Sequence, residues 1–166
     1  MRIVSLDRER TRPEEKCGGC RLCESICVLV HQGVGNPKRS RIRIWARYLE
    51  DHQLVFDEAV CHQCVDEAVP PCAQACPSEA ISRDPVSGIW QVNREECAGC
   101  GVCADECPYG AIFIDPVDMV ALKCDLCGGH PQCVDICPAQ VLTIVEQSIT
   151  PRLEAGGLGE KLHKPD

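Results

Sequence analysis

The sequence predicts an α+β fold in which short helices and β-hairpins surround cysteine-lined loops instead of one large apolar core. Three observations predict it. Sixteen cysteines in 166 residues fall into four groups of four, with none left over. Three of these groups are followed by segments of like pattern: Pro77–Ile81, Pro108–Ile112 and Pro138–Leu142. The apolar content of 45% includes the cysteines. About a third of the chain, with only two residues each of Trp, Tyr and Phe, is left to build an interior.

Each element has its own signal. The three segments after the cysteine groups read as a short helical turn running into a strand. Ile81–Asp84, a turn at 85–88 and Ile89–Val92 read as a hairpin, and so do Ile112–Ile114, Asp115-Pro116 and Val117–Leu122. Arg41–Trp45 alternates as an exposed strand and is expected to pair with Gln53–Phe56 across a loop. No long helix, membrane-spanning stretch or low-complexity run is apparent. Residues 148–166 carry no core pattern and read as a disordered or partner-binding tail.

The cysteine spacing specifies the chemistry. Group one is Cys17-x2-Cys20-x2-Cys23-x3-Cys27, and group two is Cys61-x2-Cys64-x7-Cys72-x3-Cys76-Pro77. Group three is Cys97-x2-Cys100-x2-Cys103-x3-Cys107-Pro108, and group four is Cys124-x2-Cys127-x5-Cys133-x3-Cys137-Pro138. Three cysteines two residues apart let one loop curl around a [4Fe–4S] cluster, and the fourth points to a neighbouring cluster. The following proline restricts that cysteine's backbone and donates no hydrogen bond. Group three matches this run fully. Groups two and four bulge before the third cysteine, and group one has Val28 in place of proline.

Two other uses of cysteine fit less well. Disulfides suit an oxidising compartment, but the N-terminal MRIVSLDRERTRPEEK has no apolar core and no twin arginine, so a cytoplasmic location is expected. Zinc ribbons need paired Cys-x2-Cys units, not a third cysteine two residues on, nor Cys-x3-Cys-Pro. Four clusters also explain the lean interior, since ligand bonds contribute folding energy directly. They would carry the formal charge from −8 to about −16. Nucleic acid is an unfavourable partner for such a chain. No nucleophile–base pair, phosphate loop or dinucleotide fingerprint occurs, so a non-catalytic carrier of single electrons is expected.

The order of the groups, with the second and fourth widened, looks like the four-cluster iron–sulfur subunits of the dimethyl-sulfoxide-reductase superfamily. Cys23-Glu-Ser-Ile-Cys27, His31-Gln-Gly-x-x-Asn36-Pro37 and Ser40–Ile44 look more like the small ferredoxin subunits of tungsten aldehyde oxidoreductases. Lys123-Cys-Asp-Leu-Cys-Gly-Gly-His-Pro-Gln-Cys133 fits the same group, and also ferredoxin subunits of carbon monoxide dehydrogenase–hydrogenase systems. The resemblance covers roughly residues 15–145.

The repeated unit of cluster loop, one-turn helix and hairpin reads as two fused bacterial-ferredoxin-like modules, which the fourth cysteines would staple into a single domain over 1–147. The outer module takes about 15–60 and 115–147, the inner about 61–114. The resemblance implies a nested ligand exchange. Cys17, Cys20 and Cys23 would share a cluster with Cys137, and Cys124, Cys127 and Cys133 one with Cys27. Cys61, Cys64 and Cys72 would pair with Cys107, and Cys97, Cys100 and Cys103 with Cys76. A sequential exchange, group one with two and three with four, is the rival, and spacing alone does not exclude it. The implied role is an electron-transfer subunit of an anaerobic oxidoreductase complex. Its partners would be a tungsten or molybdenum pterin catalytic subunit, and a flavin/NAD-linked subunit or ferredoxin acceptor. A free polyferredoxin is the alternative. Clusters near both ends also suggest end-to-end self-association.

Among other residues, Lys38, Arg39, Arg41, Arg43 and Arg47 form the one dense basic stretch. It reads either as a charged edge strand protected against edge pairing or as a docking face for an acidic surface. His62, His130 and Lys123 sit in or beside cluster loops, where a donor or charge could raise a potential. His31 reads as structural, and Trp90 and Tyr109 as packing.

Overall fold

The computed structural model describes residues 2–6 and 17–146. Strand β1 (Arg2–Leu6) precedes helix α1 (Leu22–Gln32), and a 3-10 turn at Pro37–Arg39 leads into β2 (Arg43–Tyr48) and β3 (Leu54–Ala59). Then come α2 (Pro71–Gln74), β4 (Ile81–Arg83), β5 (Trp90–Val92), α3 (Val102–Asp105), β6 (Ile112–Ile114) and β7 (Ala121–Lys123). A 3-10 segment at Leu126–Gly129, α4 (Gln132–Asp135) and β8 (Leu142–Glu146) complete the described chain. The strands form four antiparallel two-stranded sheets. The expected tail at 148–166 lies outside the described residues.

The short helices lie between the third and fourth cysteines, not after the fourth as the sequence pattern suggested. The x3 spacing is one helical turn, so α2, α3 and α4 each carry the third cysteine of a group. After the fourth cysteine the chain turns tightly. Glu79, Gly110 and Gln140, each three residues beyond it, adopt φ of 52°, 56° and 50°. Their amides bond the carbonyls of Cys76, Cys107 and Cys137 at 3.2, 3.1 and 3.0 Å. The next two residues go inward. Ala80, Ala111 and Val141, then Ile81, Ile112 and Leu142, are all buried. The repeat is therefore a tight turn into a buried strand start.

Group one departs from this for a local reason. Without proline after Cys27, α1 continues through Val28 to Gln32, and Gly33 in the left-handed region ends it by bonding Leu29 O. Its 11 residues exceed the single turns expected.

The hairpins carry three refinements. The β4–β5 pair, Ile81↔Val92 to Arg83↔Trp90, matches the expectation. In the next hairpin β7 starts only at Ala121, because the Asp115 carboxylate accepts from the amides of Val117 and Asp118 at 2.9 and 3.4 Å. That Asx turn holds residues expected to be strand. The first hairpin pairs Arg43–Tyr48 with Leu54–Ala59, later along the chain than the pattern implied. Ile42 and Ile44 are buried, so this ribbon covers the core on one face. Strand β1 was not anticipated. It pairs with β8 from Arg2↔Glu146 to Leu6↔Leu142, joining chain regions about 140 residues apart, and buries Val4.

Two main apolar clusters result. One joins Val4, Ile42, Ile44, Val60, Leu126 and Leu142 with Cys23, Cys27 and Cys133. The other joins Ile81, Trp90, Ala104, Ile112 and Ala121 with Cys72 and Cys103. Cysteine is part of the interior in both.

Candidate metal centres

None of the sixteen cysteines is in a disulfide, and the four groups begin in loops of similar build. The residue two beyond the first cysteine of each group is left-handed: Gly19, Gln63, Gly99 and Leu126, with φ of 67°, 57°, 67° and 55°. This kink turns amides toward sulfur. Gln63 N lies 3.3 Å from Cys61 Sγ and Leu126 N 3.4 Å from Cys124 Sγ, and the Gly19 amide serves Cys17. The fourth cysteines have matching donors. Arg41 N lies 3.4 Å from Cys27 Sγ, and Ala111 N lies 3.4 Å from Cys107 Sγ. Ala121 N adds a bond to Cys97 Sγ at 3.3 Å. Such donors stabilise thiolate over thiol and hold the sulfur in place.

The thiols gather in four sets. The electrostatic neighbours of Cys17 include Cys20 and Cys137, and those of Cys23 include Glu24, Cys17 and Cys20. Cys124 and Cys133 both neighbour Cys27, which Cys127 also neighbours. Cys72 has Cys61, Cys107 and Cys64 around it. Cys76, Cys97, Cys100 and Cys103 line one hollow with Ala80, Ile81, Ile114 and Ala121. Adjacent sets also lie close to one another. Cys23 neighbours Cys133, Cys61 neighbours Cys124, and Cys72 shares a core cluster with Cys103. Cys20 and Cys100, in the two terminal sets, are exposed.

The donor chemistry suits a cationic cluster core. Burial pushes the Cys23, Cys72 and Cys133 thiols up to about 12 and the Cys64 and Cys103 thiols up to about 11. Burial likewise drives Cys124 well above the ordinary thiol range. Several thiolates in one such place need positive charge between them, which iron supplies as it displaces the protons. Cys76 differs. Burial opposes its ionisation, but the Ser78 hydroxyl and the amides of Ser78, Ala80 and Ile81 outweigh it and lower its value.

The basic stretch is neither a bare edge nor an open docking face. Arg39 donates to Asp115 at 2.7 and 3.0 Å and reaches Asp118, which Arg94 also holds at 2.6 Å. Arg41 pairs with Asp125 and Arg47 with Asp57. Arg43 lies 4.3 Å from the Phe113 ring centroid. Arg39 and Arg41 tie the approach to β2 to distant loops, Arg47 bonds within the hairpin, and Asp115 is fully buried beneath Arg39.

Of the loop histidines, His62 stacks on Tyr109 with centroids 4.2 Å apart and planes at 9°, while His130 is exposed. His31, expected to be merely structural, lies 3.6 Å from Cys127 Sγ and 3.4 Å from Asp125. These three groups could together hold a metal ion. Cys127 already belongs to a thiol set and Asp125 to Arg41, so His31 is better read as a donor beside a cluster ligand. Gln63 and Glu24 were also missed. Both are buried, and Glu24 accepts from Ile44 N at 2.7 Å while pairing with Arg21 at 3.0 Å.

Cysteine loops of this spacing on short helices and small hairpins define an iron–sulfur protein, and the comparisons agree. Residues 52–147 match the family described as the 4Fe-4S dicluster domain, and the chain belongs to it. It is 42% identical over 123 residues to the polyferredoxin-like subunit of an aliphatic sulfonate oxidoreductase from Pyrococcus furiosus, covering 74% of this chain and 67% of that one. It is 35% identical over 163 residues to the electron transport protein HydN of Escherichia coli, covering 84% of this chain and 89% of HydN. Against two longer relatives it spans 27% and 21% of their length. A chain of the active site complex BamBC of benzoyl coenzyme A reductase matches 95% of this chain and 82% of its own, at TM-score 0.50 and 26% identity. The chain carries multiple [4Fe–4S] clusters and is an electron-transfer iron–sulfur subunit of the kind found in oxidoreductase complexes.

Proposed function

We propose that the chain conducts single electrons through four [4Fe–4S] clusters between a tungsten or molybdenum pterin active site and a flavin-bearing subunit or other acceptor. The reaction at that active site is the oxidation of an aldehyde. The nested exchange assigns Cys17, Cys20, Cys23 and Cys137 to the first cluster, and Cys27, Cys124, Cys127 and Cys133 to the second. Cys61, Cys64, Cys72 and Cys107 take the third, and Cys76, Cys97, Cys100 and Cys103 the fourth. Outer and inner modules, about 15–60 with 115–147 and about 61–114, each hold two clusters.

One observation carries the reading. Links between thiols join the proposed sets in a row, through Cys23 and Cys133, Cys61 and Cys124, and the shared packing of Cys72 with Cys103. Electron transfer rates fall steeply with distance, so a contiguous row is what conduction requires. The protein's own groups hold the sulfurs, orient them with backbone amides and keep water from the inner sets. The clusters, when bound, supply the one-electron couple. The exposed Cys20 and Cys100 at opposite ends of the order suit electron entry and exit.

The test is anaerobic isolation of the native protein with metal analysis of what accompanies it. The proposal expects about sixteen irons per chain together with tungsten, or molybdenum, in a larger subunit. Sixteen irons without a companion would make it a free polyferredoxin. Zinc in place of iron would overturn the reading.

A further inference from the structure

Lys123 lies on β7 and is 3% exposed. No carboxylate pairs with it among the described residues. Its Nζ instead donates to Trp90 O at 2.5 Å and Gln63 Oε1 at 3.2 Å, and lies 3.4 Å from Cys124 O. Three neutral acceptors match the three donors of an ammonium. A buried ammonium without a counter-ion is costly, so something anionic must compensate it. The nearest candidates are the thiol sets. The Lys123 charge acts on Cys64, Cys72 and Cys107, and for Cys72 only burial outweighs it.

Gln63 holds this cation at the seam between groups two and four. Its side-chain amide donates to Cys124 O at 2.7 Å, and its oxygen accepts from Trp90 N at 2.9 Å as well as from Lys123. Its own amide serves Cys61 Sγ. Gln63 is 1% exposed, so the pair is fixed and dry. A dry fixed charge acts at low effective dielectric and keeps much of its strength.

We propose that Lys123, oriented by Gln63, is a potential-setting residue for the cluster held by Cys61, Cys64, Cys72 and Cys107, making its one-electron reduction easier. This rests on the cluster assignment proposed above. The step adds one electron to the oxidised core, supplied by the neighbouring cluster, with no proton taken up and no bond broken. A positive charge favours the more negative member of that couple. The central junction of the row therefore becomes a place where an electron rests instead of a barrier.

The experiment is an EPR-monitored redox titration of the full chain, with iron counted for every protein. The signal that Cys107→Ser abolishes identifies the cluster. In Lys123→Met the charge is removed at similar shape, and in Gln63→Glu it is neutralised in place. Both should keep the wild-type iron content. Both should lower the reduction equilibrium of that signal about tenfold, or about 59 mV for one electron, with smaller shifts elsewhere. Full iron with an unmoved potential in either variant overturns the proposal. Loss of iron from both would make Lys123 an assembly residue and overturn it equally. Failure of the cluster assignment is seen separately, as Cys107→Ser and Cys64→Ser abolishing different signals.

Discussion

At the scale of single residues, backbone conformation at the loop kinks is as specific as the cysteines themselves. Gly99 has φ of 67°, and a Cβ there would stand 1.8 Å from Met119 O. Gly99→Ala should cost at least about 2 kcal/mol, since left-handed strain adds to a backbone clash. Thermal bleaching of the visible absorbance will show it as a lower midpoint. The buried Asp115 gives a second residue-level prediction. Burial opposes its ionisation, but Arg39 and the amides of Val117 and Asp118 hold its carboxyl below the usual range. A depressed folded value contributes stability that is present above the unfolded value of about 4 and is lost as pH falls through the folded one. The advantage of wild type over Asp115→Asn should be full at neutral pH and should shrink below about pH 4, as read by bleaching rates of the two proteins. Such partnerships were not legible in the sequence. Arg39 and Asp115 are 76 residues apart, and His31 meets Cys127 across 96. Residue types announced the ligands, whereas their neighbours depend on how the loops close.

At the scale of elements, the cysteine spacing predicted more than ligands. The x3 interval sets one helical turn in α2, α3 and α4, and the proline after it sends the chain into a strand. The helical turn precedes the fourth cysteine, one step earlier along the chain than the sequence pattern implies. A tight turn with one left-handed residue and a helical turn look alike in five residues. Val28 shows the rule by its exception. It is buried on α1, which runs on because no proline follows Cys27. Val28→Pro would restore the motif but remove a helical amide and clash with the preceding turn, at a cost of about 3 kcal/mol or more. A lowered denaturation midpoint with fewer irons bound is the expected result. Strand β1 was illegible for another reason. Five residues, Arg2–Leu6, carry no turn signal, and their partner β8 lies at the other end of the described chain.

At the scale of the whole molecule, both apolar clusters are built around cysteine side chains, and the hairpins flanking them are short. Cluster ligation must then supply much of the folding free energy. Removing iron with a chelator under reducing conditions should abolish the cooperative unfolding transition and most of the circular dichroism, and iron with sulfide should restore both. An apo-chain that keeps its ordered signal would contradict this. An exposed clasp such as Arg94–Asp118 does not change the expectation, because exposed ion pairs contribute little. The four-fold cysteine count was the most legible feature of the sequence, and it described the molecule's chemistry before its shape. The pairing of groups was not legible from spacing, since nested and sequential exchange use the same motifs. The charge of Cys137 acts on Cys17 and that of Cys27 on Cys124, which is the proximity the proposed nested form requires.

The most direct test of a four-cluster conductor is iron and acid-labile sulfide counted against EPR spin in the fully reduced protein. The account predicts about sixteen of each per chain and about four spins, broadened by coupling between neighbouring clusters. About eight irons, an isolated-cluster spectrum and eight thiols open to alkylation would contradict it.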